Sequence, residues 1–204
     1  MTLSVAGKSV TRNDLREKLT GQARYTADLK LPDMLHGAVL RSPHPHADIL
    51  SVDTSQASAL PGVYATLTPF DAPAGRVAPD VPVLDRRVRF VGDEVAAVAA
   101  LDAETAERAL ALIRVEYRVL PFVLDPEEAL QPGAVPIHPS GNLATEKPLS
   151  IERGDVSRGF AEADLILEEE YSVPTHSATP LEPRAALAAW EGGSLTVWKT
   201  SRGV

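Results

Sequence analysis

VAAVAALDAETAERALALIRVEYRV, residues 95–119, decides the fold class. Its first six residues are an apolar run too short for a helix, and they are followed by Leu101-Asp102. From there apolar side chains recur at Ala106, Ala109, Leu110 and Ile113. That i, i+3, i+4, i+7 spacing places all four on one face of a helix. Asp102 stands where an N-cap carboxylate would accept a backbone N–H, so the spacing predicts a helix over Ala103–Leu112. Arg114–Val119 then alternates charged and apolar residues, as a half-buried strand does. Strand, helix and strand in this order predict a mixed α/β layer, with the helix laid on a sheet containing Val95–Ala100.

Outward from this segment, further strands are expected at Met34–Leu40, Asp48–Asp53, Val63–Leu67 and Val88–Val91. Short helices are expected over Arg12–Leu19, with Thr11 as N-cap, and over Ser55–Leu60, ended by Pro61-Gly62. The four prolines of Pro69–Asp85 read as a loop. Pro121–Ser150, rich in Pro, Gly and Asn, reads as a connection between two units. Beyond it the pattern predicts a helix over Val156–Ala163 capped by Asp155, a strand over Leu165–Tyr171, and a hairpin. The hairpin joins Ala185–Trp190 to Leu195–Lys199 through Glu191-Gly192-Gly193. This second unit is near the lower size limit for burying a core unaided. Its final apolar strand would be an exposed edge, which suggests a missing partner or continuation.

The composition narrows the function. With 44% apolar and 24% charged residues, the 204-residue chain is ordinary for a globular protein. A net charge of −8 without any basic block argues against nucleic-acid binding. The absence of cysteine excludes disulfides, thiolate nucleophiles and cysteine-bound clusters from the chain itself. The N-terminus lacks the pattern of a signal peptide, and Val95–Leu101 is too short to cross a bilayer, so a cytoplasmic protein without membrane insertion is expected.

Several side chains have both a chemical and a plain reading. His44 and His46, held between prolines, are a rigid loop or a pair of metal or substrate contacts. Asp93 and Glu94 are solvated turn charges or paired acids. Glu168, Glu169 and Glu170 read as a polar strand end. His176 and Glu182 are structural hydrogen-bonding groups or part of a cleft wall. Gly21, Gly62 and Gly92 read as turn glycines, since no dinucleotide-binding or phosphate-loop pattern is present.

Ordered segments add a resemblance. They are Gly21-Gln22-Ala23-Arg24-Tyr25-Thr26-Ala27-Asp28, Arg41-Ser42-Pro43 with His46-Ala47, and Ala59-Leu60-Pro61-Gly62-Val63. Val88-Arg89-Phe90-Val91-Gly92-Asp93-Glu94-Val95-Ala96 follows, then Val115-Glu116-Tyr117, Leu120-Pro121, Gly154-Asp155, Phe160, Ala163-Asp164 and Leu181-Glu182-Pro183. In this order they resemble the start of the molybdopterin-binding large subunit of the xanthine dehydrogenase, aldehyde oxidase and carbon monoxide dehydrogenase family.

The resemblance implies an α/β hammerhead-type mixed-sheet domain at residues 21–128, after an arm at 1–20. A linker at 129–145 would lead to the incomplete start of a second, molybdopterin-binding α+β domain at 146–204. It implies a molybdenum–molybdopterin cofactor that hydroxylates an aldehyde or N-heterocycle. It also implies a partner chain carrying the remaining cofactor domains, with iron–sulfur and flavin subunits to remove electrons. The family's Thr-Gln pair beside the metal matches Ser201-Arg202 here. Arg202 is therefore the one candidate cofactor contact, with Arg41 a second for packing or polar contacts. No catalytic residue and no metal ligand is assigned. The expected role is the N-terminal part or a split subunit of a molybdenum hydroxylase. The alternative is a non-catalytic assembly or binding protein, or a truncated remnant of such an enzyme.

Overall fold

The computed structural model describes residues 6–201 apart from 74, 79, 80, 144, 146–148 and 181. The chain divides into two units: Asp33–Asp155, and Met1–Pro32 together with Val156–Val204.

Two three-stranded sheets build the first of these units. One has β1 (His36–Arg41) and β3 (Val63–Leu67) on either side of β7 (Glu94–Ala100). The other has β6 (Arg87–Val88) and β8 (Arg114–Val119) flanking β2 (Ala47–Asp53). Every pairing is antiparallel. The helix α3 (Ala103–Leu112) forms over the residues its spacing predicts. The Asp102 carboxylate accepts the Thr105 backbone N–H at 2.7 Å and so satisfies one of the donors left free at a helix start. Ala106 and Ala109 are buried with Ala96, Val98 and Ala100 of β7, Ala57 of the short helix α2 (Ser55–Ser58), and Ile113; Leu110 is half-buried against them. A second cluster joins Val95 to Ala47, Ile49 and Val88. Strand β7 therefore serves both cores, through Val95 in one and Ala96, Val98 and Ala100 in the other.

An ion triad crosses the second sheet. Asp48 on β2 accepts from Arg87 on β6 at 2.7 Å and from Arg118 on β8 at 2.5 Å. Its side chain is 14% exposed. These hydrogen bonds, Arg87 first and then Arg118, hold the carboxyl below its ordinary range. A depressed folded value means that the stabilisation is present above the unfolded aspartate pKa and is lost as the pH falls through the folded one. Asp48→Asn is expected to cost about 1–2 kcal/mol at neutral pH, somewhat above a fully exposed pair. The gap between the two proteins should close in acid. Urea midpoints measured at neutral pH and below about pH 3 check this, the ordinary aspartate value being about 3.9. A gap independent of pH would remove the triad from the stability balance.

Several elements differ from the sequence reading. Strands β7 and β8 flank α3 in sequence yet lie in different sheets, so α3 does not bridge neighbours in a single layer. The helix expected from Arg12 is confined to α1 (Leu15–Leu19), with Asp14, not Thr11, at the N-cap position. Asp14 is drawn into bonds with Arg12 and Lys18. Helix α2 stops two residues before the expected Leu60. The strand expected at Val88–Val91 ends at Val88, because the Asp93 carboxylate captures the Arg89 N–H at 2.8 Å and turns the chain. Inside the expected Pro69–Asp85 loop, β4 (Arg76–Ala78) pairs with β5 (Val81–Pro82). The connection after Pro121 contains a helical turn, α4 (Pro126–Ala129). The Asp125 side chain caps it by accepting from Glu127 and Glu128.

The other unit is thin. It has α5 (Val156–Glu162) and an antiparallel hairpin, β9 (Ala186–Glu191) with β10 (Ser194–Lys199), and the 3-10 turn Thr26–Asp28 packs on β9. None of its described residues is buried. The strand expected at Leu165–Tyr171 is not formed: those residues are exposed and belong to no ladder. Alternating apolar residues do not hold a strand without a neighbour to take its N–H and C=O groups.

Candidate functional site

The sites read from the sequence separate on folding. His44 packs edge-on to Tyr117, with ring centroids 4.9 Å apart. His46 is 4% exposed and donates from Nδ1 to the Pro121 carbonyl at 2.7 Å, since a carbonyl only accepts. The two imidazoles thus have different partners and do not converge. Among the described residues no three His, Asp or Glu side chains gather as a metal would require.

Asp93 and Glu94 also part. The half-buried Asp93 carboxylate accepts the backbone N–H groups of Arg89 and Glu94, and burial pushes its carboxyl up despite those bonds. Glu94 pairs with Arg41 at 2.8 Å, and Arg41 also donates to the Gly92 carbonyl at 2.7 Å. Gly92 takes a φ of +96°, the left-handed region that favours glycine. Together these groups lock the turn that leads into β7. Arg41 therefore acts on the turn. Glu168, Glu169, Glu170 and His176 are exposed. Arg202 lies outside the described residues.

One recess gathers unlike polar groups. It has a volume of about 440 Å³ at the open end of the β9–β10 hairpin and is lined by Glu182, Arg184, Lys199, Thr200 and Ser201, with Ala178 and Pro180. The hairpin register builds it. Lys199 pairs with Ala186, and the Thr200 N–H donates to the Ala185 carbonyl at 3.0 Å, which extends the ladder one step. Side chains alternate along a strand, so Arg184, Ala186 and Lys199 share one face while Thr200 turns to the other. Thr200 ties the recess together. Its hydroxyl lies 3.1 Å from the Pro183 carbonyl and 3.3 Å from Glu182 Oε1, both acceptors, and takes the Ala185 N–H at 3.4 Å.

The sequence reading singled out Glu182 here but missed Arg184, Lys199 and Thr200. The signal was available in the Glu191-Gly192-Gly193 turn, which fixes the register and hence which distant side chains meet. The lining is hydroxyl, carboxylate and cationic. It can hold an organic ligand by hydrogen bonds and charge, and it offers no imidazole or thiolate to a bare transition metal.

Comparison with known proteins accounts for both halves of the chain. The family profile described as aldehyde oxidase and xanthine dehydrogenase, a/b hammerhead domain, matches residues 20–121. The profile of the molybdopterin cofactor-binding domain matches residues 137–204. A probable xanthine dehydrogenase component of Bacillus subtilis is 44% identical over 93% of this chain and 26% of its own length. The nicotinate dehydrogenase large molybdopterin subunit of Eubacterium barkeri is 38% identical over 95% of this chain and 46% of its own. Among solved structures, the aldehyde oxidoreductase of Desulfovibrio gigas superimposes with a TM-score of 0.80 at 31% identity. It matches 95% of this chain and 23% of its own. The chain spans between about a quarter and a half of the length of these relatives.

Proposed function

Because the chain belongs to the aldehyde oxidase and xanthine dehydrogenase family of molybdopterin oxidoreductases, we propose that it supplies the hammerhead domain and the opening of the cofactor-binding domain of a molybdenum hydroxylase. The observation that carries this reading is the order of the two profile matches, with a polar recess in the second. Residues 21–128 are the hammerhead, 129–145 the linker, and 146–204 the cofactor-facing part. A partner chain carrying the remaining cofactor domains completes the site. Iron–sulfur and flavin units take the electrons, and the assembly works in the cytoplasm. Among the described residues no helix is long and apolar enough to cross a membrane.

The recess fits a cofactor that brings its own metal ligands. Glu182, Thr200 and Ser201 offer hydrogen bonds to an organic group, and Arg184 and Lys199 offer charge. When bound, a molybdenum–pterin group would supply the two-electron oxidant for hydroxylation of an aldehyde or N-heterocycle, in which a C–H bond gives way to a C–O bond to water's oxygen, two electrons go to the metal and two protons are released. What this chain would contribute is one wall that orients the cofactor, and the Arg202 guanidinium would hold an oxygen of it by charge-assisted hydrogen bonds.

The test is elemental analysis of the purified 204-residue chain, alone and co-expressed with the remaining domains of a relative. Alone it should hold no stoichiometric molybdenum, because one wall of a site leaves most contacts and their supporting shell unmade. Co-expression should restore metal and turnover. Stoichiometric molybdenum with turnover in the lone chain, or none in the complex, overturns the shared site. Full activity of Arg202→Ala in the complex removes only the role of Arg202.

A further inference from the structure

Several arginines of this chain are held by carboxylates. Arg12 pairs with Asp14, Arg41 with Glu94, Arg87 and Arg118 with Asp48, and Arg89 with Asp85. Arg184 and Lys199 have no such partner among the described residues, although acids outnumber bases 28 to 20. The nearest acid in the recess, Glu182, is engaged by the Thr200 hydroxyl and by neither cation. Lys199 pairs with Ala186, so Arg184 stands diagonally from it on one face of the hairpin, where two long side chains can reach a single anion.

We propose that Arg184 and Lys199 form an oxyanion site for a phosphate group, either a monoester or a diphosphate. A phosphate carries about two charges and three strong acceptor oxygens, enough for a forked guanidinium and a point-charge ammonium together. A carboxylate has one charge and two oxygens, and would leave one cation underused. The volume of about 440 Å³ is in the range of small-molecule sites, so the phosphate enters as the end of a larger ligand. The inference rests on the proposed function for the recess being cofactor-facing. The choice of anion comes from the charges alone.

The experiment is calorimetric titration of the 204-residue chain with inorganic pyrophosphate, with backbone amide shifts followed at Thr200 and Ser201. Binding should perturb those amides and weaken as sodium chloride is raised. Each of Arg184→Ala and Lys199→Ala should weaken it about tenfold, the effect of losing one charge-assisted contact. Arg108→Ala, on the exposed face of α3, should change nothing. Glu182→Gln should tighten binding by removing a competing charge. No binding by the unsubstituted chain, or equal losses from Arg108→Ala and Arg184→Ala, overturns the site.

The source of the phosphate is read in the molybdenum-loaded complex. Loss of pyrophosphate binding on loading means that the cofactor's own phosphate fills the recess; retained binding means a free phosphate compound does. Pyrophosphate binding by a chain whose complex never holds molybdenum would leave the anion site standing and sink the molybdenum reading. Molybdenum loading without pyrophosphate binding would do the reverse.

Discussion

Backbone amides of Ala96–Ala100 should exchange with deuterated water at least about a thousandfold more slowly than those of Leu165–Tyr171 in the isolated chain. Strand β7 is central in its sheet, bonded to β1 on one side and β3 on the other, and it feeds both buried clusters. Its amides should open only on global unfolding, which for a domain costs roughly 5–15 kcal/mol. Leu165–Tyr171 has no ladder, and its large apolar residues are at least half exposed. Exchange there should approach that of an unstructured peptide. Mass spectrometry of peptic fragments reads both segments in one experiment. Equal protection would mean that the thin unit is self-sufficient, and the case for domains completing it would fail. Protection that appears at Leu165–Tyr171 only in the presence of those domains would support them directly.

The second large effect is Ala109→Leu, which should cost about 1–3 kcal/mol or more. The interface between α3 and its sheet is made of small side chains: Ala106 and Ala109 on the helix, Ala96 and Ala100 on the strand, and Ala57 alongside. Small residues bring the backbones close, and three extra carbons there must displace a helix or force a rotamer. Ala111→Leu is the control, because Ala111 is exposed on the same helix and leucine is nearly as good a helix former. Urea unfolding of both variants settles the comparison. Equal midpoints would mean that the helix rides loosely on the sheet.

Much of this fold was legible because local signals and tertiary structure agree at particular residues. Asp102 caps α3 as its position implies, and the expected spans of Val63–Leu67 and Arg114–Val119 are the strands observed. The turn Glu191-Gly192-Gly193 closes the expected hairpin. Sheet membership was not legible, because alternation fixes which face a side chain takes and says nothing of which strand lies beside it. Leu165–Tyr171 shows the complementary failure, a strand-like pattern without a neighbour. Helix α4 was masked by the prolines around it, although Asp125-Pro126 is a good start signal. The histidine pair and the acid pair were visible as residue types, but only the fold shows that each member has a separate structural partner. The recess was hidden for the opposite reason: Arg184 and Lys199 are far apart in sequence, and only the ladder from Ala185 to Thr200 makes them neighbours.

The interleaving of the two sheets governs how the chain can fold. Strands β1 and β2 follow each other in sequence yet join different sheets, and each waits for a distant partner: His36 for Ala100, and Asp53 for Arg114. No early hairpin between neighbours can nucleate either sheet, so loop-closure entropy must be met before most contacts form. Folding of this unit should be slow for its size. On the ribosome, β1 would stay unpaired until Ala100 has cleared the exit tunnel and β2 would lack β8 until Val119 has, and holdase chaperones would have their longest access to the chain during that interval.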